Sequence, residues 1–109
     1  MVTLNIKPIS VNSCWQGRRF STPLYKQFQN EMAYILPAMK IGKAPYRVNI
    51  EFGFSSKLAD LDNGVKPLLD CMVKKYDFDD RDIYELNLRK VIVSKGSEYI
   101  KFNIENLTK

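Results

Sequence analysis

The chain has 109 residues, of which 45% are hydrophobic, and a formal net charge of +5, which predicts one globular domain spanning residues 1–109. The absence of histidine excludes Ser-His and Cys-His nucleophiles and His-ligated zinc. There is no membrane-spanning apolar run or secretory signal pattern, and the two cysteines fit no disulfide or metal framework, so we expect a cytoplasmic protein without a membrane partner.

Hydrophobic periodicity predicts the element order β-α-β-α-β-β. Alternating residues predict strands over residues 2–6, 46–54, 83–93 and 100–104. Apolar residues at helical spacing predict helices over residues 23–36 and about 64–76. The alternation of apolar and polar residues in the third predicted strand is interrupted between Leu88 and Val91, which suggests a bulge near Arg89 and Lys90. The predicted fold is α+β, a four-stranded mixed sheet with two helices packed on it.

Charge is distributed unevenly along the chain. Residues 1–57 contain eight Lys or Arg and two acidic residues, whereas residues 58–109 contain nine and ten. Eight of the twelve acidic residues fall between Asp60 and Glu85. Such a cluster usually forms solvated turns and helix caps. The alternative is a cation site set within a basic field.

Asp60 and Asp62 lie between a predicted strand and a predicted helix. In an extended segment they would point to the same side, about 7 Å apart. Two carboxylates held together repel, and a shared divalent cation relieves that repulsion. The alternative is that they cap the helix and complement its dipole.

Lys66 and Asp70 continue this pattern on the second helix. With Asp62 and Lys74 they form an i, i+4 ladder of alternating charge beside the apolar face. As a surface ladder, each pair would contribute only about 0.2–0.5 kcal/mol. As a functional device, the ladder would place Lys66 where it can stabilise charge on a phosphodiester, with Asp70 orienting it.

The ordered set Asp60-Leu61-Asp62-Asn63, Lys66, Asp70 and Asp79-Asp80 resembles the RusA family of Holliday junction resolvases. The resemblance covers about residues 46–105, and the loop at residues 8–12 is also similar. It implies a small α+β homodimer that cuts four-way junction DNA symmetrically, found mainly in phages and prophages and hence in a bacterial host cell. It also implies a catalytic and metal-binding set: Asp60, Asp62 and Asp80 as ligands of Mg²⁺, with Mn²⁺ as a possible substitute, Lys66 as the catalytic lysine, and Asp70 and Asp79 in secondary roles.

The basic half supplies candidate DNA contacts. Arg18 and Arg19 are adjacent arginines in a polar loop and are the first candidates for phosphate contact. Trp15 could stack on an unpaired base or cover the sheet. Lys26 and Lys57 complete the predicted DNA-binding set, although Lys and Arg also commonly decorate surfaces without a specific partner.

These observations together predict a Mg²⁺-dependent endodeoxyribonuclease that resolves Holliday junctions by paired symmetric nicks in recombination and repair. It would act as a homodimer, because a two-fold enzyme presents two identical sites to two scissile strands. No nucleotide cofactor is expected. The alternatives are a non-catalytic nucleic-acid-binding module and an interaction protein that retains the fold. Metal-dependent cleavage would distinguish the resolvase from both alternatives.

Overall fold

The computed structural model describes residues 1–16 and 20–107. It contains two helices, α1 (Pro23–Ile35) and α2 (Val65–Tyr76). The strands are β1 (Val2–Leu4), β2 (Trp15–Gln16), β3 (Phe20–Ser21), β4 (Tyr46–Phe54), β5 (Ile83–Ile92) and β6 (Tyr99–Asn106).

Four strands form one mixed sheet in the order β1-β6-β4-β5. The central strand β4 runs parallel to β5 and antiparallel to β6, and β1 is antiparallel to β6. The predicted α+β fold, with two helices and a four-stranded mixed sheet, is therefore confirmed. The two-residue strands β2 and β3 form a separate hairpin, which lies in a segment that the sequence predicted to be a polar loop.

The core lies between one face of this sheet and both helices. Alternate residues of β4 point into it, because successive side chains of a strand face opposite sides. α1 and α2 contribute apolar residues at helical spacing. The fully or nearly fully buried members are Tyr25, Phe28, Met32, Val48, Ile50, Phe52, Leu68, Met72, Ile100 and Phe102. Within the described ranges, neither helix has the length and apolarity needed to cross a membrane.

The opposite face of the sheet carries polar side chains that pair across the strands. The amides of Asn87 and Asn49 form a hydrogen-bonded row with Asn103, at 2.8 and 2.7 Å. On one side of this row Arg47 pairs with carboxylates of both neighbouring strands. This face is therefore polar, whereas the helices cover the apolar one.

The predicted bulge near Arg89 and Lys90 is wrong. The only shift of register between β4 and β5 lies at Tyr46 and Arg47, and pairing continues regularly from there to Phe54 and Ile92. The apolar phase slips because Lys90 occupies a position on the helix-bearing face. Its ammonium donates to the main-chain oxygens of Lys57 and Ala59, so a charged side chain is satisfied where an apolar one was expected.

The two helices begin in different ways. Thr22 caps α1 by accepting a hydrogen bond from the amide of Tyr25, as predicted. α2 instead follows a 3-10 turn, Leu61–Gly64. A β-carbon on Gly64 would lie 3.1 Å from the ring of Phe52, so glycine allows this turn to pack directly on the sheet. The segment that carries Asp60 and Asp62 is thereby held against β4.

Candidate functional site

Lys66 lies at the centre of a chain of polar contacts between the two helices and the loop before β5. Its ammonium is 2.8 Å from Oδ1 of Asp70 and 3.8 Å from Oδ2 of Asp80. The other oxygen of Asp70 accepts a hydrogen bond of 3.2 Å from the hydroxyl of Tyr25. Lys66 and Asp70 of α2 therefore connect the start of α1, through Tyr25, with the loop that carries Asp80.

The contacts around Lys66 raise the pKa of Lys66 itself, and burial next to Asp70 raises the pKa of Tyr25. The hydrogen bond to Asp70, together with the negative charges of Asp70 and Asp80, raises the pKa of Lys66, so its ammonium is charged at neutral pH. Burial raises the pKa of Tyr25, and the Asp70 carboxylate raises it further. Tyr25 therefore remains protonated and acts as the donor to Asp70.

Lys66 and Asp80 are accessible to a ligand in spite of these contacts. The side chain of Lys66 is 60% exposed and that of Asp80 is 50% exposed. Asp70 is held more deeply, at 35%. A charged lysine that stays open to solvent while a carboxylate fixes its position can contact an anionic group.

Asp60 does not act as the helix cap that one interpretation of the sequence required. It stands at the start of the 3-10 turn, yet its carboxylate makes no capping bond to the described main-chain amides. It instead accepts a hydrogen bond of 3.3 Å from the side chain of Asn63. Gly64, at the start of α2, has no capping side chain. Asp62 lies in the turn itself and is exposed.

Asp79, by contrast, is a cap. Its carboxylate accepts a hydrogen bond of 3.1 Å from the amide of Arg81 and lies 3.3 Å from the Arg81 guanidinium. These contacts hold the short 3-10 turn Asp80–Asp82 that leads into β5. Of the two adjacent aspartates, the first therefore has a structural task and the second points to Lys66.

The predicted metal ligands have suitable chemistry but are not gathered at one point. Carboxylate oxygens are the donors that Mg²⁺ prefers. Asp60 lines a groove of about 680 Å³, whereas Asp70, Asp79 and Asp80 line a different one of about 600 Å³. Among the residues with described positions, no three acidic or cysteine side chains are close enough to hold one ion. The structure thus unites Lys66 with Asp70 and Asp80, and leaves Asp60 and Asp62 on the preceding turn.

The predicted DNA contacts fall in different parts of the fold. Lys26 and Lys57 are exposed, the first on α1 and the second in the segment after β4. Trp15 is 49% exposed and packs edge-on against Tyr25, with ring centroids 5.8 Å apart. Arg18 and Arg19 lie outside the described residues.

Tyr25 is the site residue that the sequence analysis missed. It lies on the buried face of α1 and is 3% exposed, as an ordinary core residue would be. Only its phenolic oxygen reaches the polar network. The one available signal was chemical, since a buried tyrosine hydroxyl needs a hydrogen-bond partner.

Comparison with known proteins does not place the chain in a family. A scan against protein-family models finds no match, and no curated protein is significantly similar in sequence.

Proposed function

We propose that the protein is a Mg²⁺-dependent, structure-selective endodeoxyribonuclease that resolves four-way DNA junctions by paired symmetric nicks. The observation that carries this proposal is the arrangement of Lys66, which is charged, exposed, and held by Asp70 beside Asp80. This is the geometry expected of a group that stabilises negative charge on a phosphodiester.

The behaviour of the aspartates supports the same function. Asp60 and Asp62 would be structural if they capped α2, but the carboxylate of Asp60 bonds only to a side chain among the partners that the structure describes. Asp60, Asp62 and Asp80 have the donor chemistry that Mg²⁺ prefers, and in this proposal the three carboxylates come together only when the ion binds. When bound, the metal would supply charge neutralisation and activation of the attacking water.

The residues of the chain itself have separate tasks in this scheme. Lys66 contacts the phosphate and offsets its developing charge, Asp70 fixes the position of Lys66, and Tyr25 fixes Asp70. The basic residues of the first half attract the DNA backbone. Trp15, exposed next to Tyr25, would stack on an unpaired base at a junction.

The test is to incubate the protein with a synthetic mobile four-way junction, with and without Mg²⁺, and to look for paired nicks at symmetric positions. Lys66→Met should reduce cleavage at least 100-fold while junction binding persists. Lys74→Met is the matched control, since Lys74 is exposed two turns further along α2. Equal losses in both variants, or cleavage that ignores Mg²⁺, would contradict the proposal.

A non-catalytic nucleic-acid-binding module is the second candidate. It is favoured by the finding that, within residues 1–16 and 20–107, no three carboxylates lie close enough to share one ion. This function predicts junction binding without nicks at any Mg²⁺ or Mn²⁺ concentration. An interaction protein that retains the fold would show neither binding nor nicks.

A further inference from the structure

Lys90 lies on the face of β5 that is turned toward the helices. It pairs in register with Phe52 of β4, and Phe52 is fully buried on that face. Its neighbours on the same side of β5 are the apolar residues Leu88 and Ile92, because alternate residues of a strand face one way. A charged group at such a position costs free energy unless it is paired. An apolar residue would therefore stabilise the fold at least as well.

The ammonium of Lys90 holds the loop between β4 and the turn before α2. It donates to the main-chain oxygen of Lys57 at 2.9 Å and to that of Ala59. These two residues flank Leu58, whose side chain is 91% exposed. The second of them directly precedes Asp60. One lysine thus fixes the main chain immediately before a predicted metal ligand.

Ser56 adds two further contacts within the same loop. Its hydroxyl oxygen accepts a hydrogen bond of 3.2 Å from the amide of Leu58, and its main-chain oxygen accepts one of 3.3 Å from the amide of Ala59. Residues 56–58 are all exposed. Polar contacts rather than burial therefore determine the path of this loop, and Lys90 supplies the contacts that tie it to the sheet.

The other end of the Asp60 segment rests on the residue that pairs with Lys90. A β-carbon on Gly64 would lie 3.1 Å from the ring of Phe52, so the turn packs closely on that ring. Phe52 and Lys90 are paired across β4 and β5. The turn that begins at Asp60 is therefore anchored at both ends on one cross-strand pair.

The charge of Lys90 does not neutralise Asp60. Both contacts of the ammonium are with uncharged main-chain oxygens. Within residues 1–16 and 20–107, no lysine or arginine forms a salt bridge with Asp60. The Asp60 carboxylate is exposed and lines the larger groove. Lys90 thus fixes the chain next to Asp60 and leaves its carboxylate open to a cation.

We propose that Lys90 is a positioning residue of the candidate site, which fixes the segment that carries Asp60 and so places its carboxylate to bind Mg²⁺. This inference rests on the proposed function, in which Asp60 is a metal ligand. Because Asp60 is anchored, the loop that carries Asp80 would move when the carboxylates come together. Residues that orient metal ligands without touching the ion commonly contribute about 10–100-fold to metal affinity or activity.

Lys90→Met tests this assignment, because methionine is apolar and cannot donate to the two oxygens. The Mg²⁺ concentration needed for half-maximal cleavage should rise about 10–100-fold, and excess Mg²⁺ should restore the rate, since Asp60 remains. The free energy of unfolding should stay equal or rise, because an apolar side chain replaces a charged one on the helix-bearing face. A marked loss of stability would make Lys90 a residue of the fold and overturn the proposal, as would an unchanged Mg²⁺ requirement.

Lys75→Met is the matched control. Lys75 is exposed near the end of α2, and its ammonium also donates to a main-chain oxygen, that of Ala33, at 3.1 Å. This contact joins the two helices and does not involve the loop before Asp60. The Mg²⁺ requirement of this variant should match that of the wild type. An equal rise in both variants would contradict a specific role of Lys90.

A spin label on Leu58→Cys reports the order of the loop without DNA, metal or cleavage. Leu58 is 91% exposed, so the label does not disturb the core, and the native Cys14 and Cys71 are buried. The label should be constrained in the otherwise wild-type chain, more mobile when combined with Lys90→Met, and unchanged when combined with Lys75→Met. Equal mobility in all three proteins would overturn the proposal.

These measurements separate the position of the loop from the chemistry of the site. If the wild type never cuts a junction but Lys90→Met frees the label, the proposed function fails and the role of Lys90 in fixing the loop stands. If the wild type cuts with Mg²⁺ and Lys90→Met needs no more Mg²⁺ than it does, the function stands and the role of Lys90 fails.

Discussion

The hydroxyl of Tyr25 donates a hydrogen bond of 3.2 Å to Oδ2 of Asp70, which joins α1 to α2 across 45 positions of the sequence. The second oxygen of Asp70 accepts from Lys66. A carboxylate that is held from both sides has little freedom to rotate. The packing of α1 against α2 therefore determines where the ammonium of Lys66 can lie.

Tyr25→Phe should disturb this arrangement without changing the packing of the ring. We expect a loss of about 1 kcal/mol in the free energy of unfolding, since one partly buried hydrogen bond disappears. Cleavage should fall about tenfold with junction affinity unchanged, because Asp70 can then turn away from Lys66. Single-turnover cleavage and chemical denaturation measure the two effects.

Tyr76→Phe is the matched control for that variant. The hydroxyl of Tyr76 also donates to an oxygen, the main-chain carbonyl of Pro37, at 2.8 Å. Its loss should lower stability by a similar amount and leave cleavage unchanged. Equal cleavage by the two variants would show that Tyr25 has no role in positioning.

Asparagine substitutions of the aspartates should separate metal ligands from caps. Asp60→Asn, Asp62→Asn and Asp80→Asn should each reduce cleavage by several orders of magnitude, because an amide is a poorer ligand for Mg²⁺ than a carboxylate. Junction affinity without metal should hold or rise, because repulsion of the DNA backbone is relieved. A gel-shift assay and a nicking assay on the same junction measure both.

Asp79→Asn is the control within the same loop. Asp79 accepts a hydrogen bond from the amide of Arg81, and asparagine caps nearly as well as aspartate. This variant should therefore fold and cleave almost as the wild type does. A well-folded Asp62→Asn protein that cuts at the wild-type rate would refute the catalytic assignment.

Glu51 should make stability depend on pH. A hydrogen bond from Tyr99 lowers its pKa below the ordinary value, and the charges of Lys101 and Arg89 lower it further. A carboxyl group whose pKa is depressed in the folded state stabilises the fold at pH values above its ordinary pKa. That stabilisation is lost as the pH falls through the depressed pKa. Urea unfolding between about pH 5 and pH 2 should show this loss in the wild type.

Two variants test that assignment. Glu51→Gln should be less stable than the wild type at neutral pH, and the difference should shrink as the solution becomes acidic. Tyr99→Phe removes the first cause of the shift, so its acid-induced loss of stability should be smaller and should be complete at a higher pH. A stability difference between wild type and Glu51→Gln that is constant with pH would contradict the role of Glu51.

Trp15 offers a spectroscopic test because it is the only tryptophan. It is half-exposed beside Tyr25. If it stacks on an unpaired base, adding a four-way junction should quench its fluorescence, and Trp15→Ala should weaken binding by about 1–3 kcal/mol. Unchanged fluorescence and affinity would place Trp15 away from the DNA.

Much of the fold followed from patterns that are local in sequence. The alternation of Val48, Ile50 and Phe52 and the Thr22 cap predicted β4 and the start of α1 correctly. The bulge predicted near Arg89 and Lys90 was wrong because the charged group of Lys90 reaches main-chain oxygens more than thirty positions away. Periodicity predicts that a lysine faces solvent. Only the position of the distant loop that contains Lys57 and Ala59 shows that Lys90 lies on the helix-bearing face.

The candidate site was predicted only in part, because some of its contacts are local in sequence and others join distant segments. Lys66 and Asp70 are one helical turn apart, so their contact follows from helix geometry. The approach of Asp80 depends on how the loop before β5 returns along α2. The contribution of Tyr25 depends on the packing of two helices, and no spacing in the sequence indicates it.

The sequence by itself determined the two helices and the four strands of the main sheet, because side-chain direction repeats every 2 residues in a strand and every 3.6 in a helix. Tertiary structure alone decided that β5 lies at one edge of the sheet and that Tyr25 meets Asp70. Strand order and helix contact arise from pairing between distant segments, for which local periodicity carries no information.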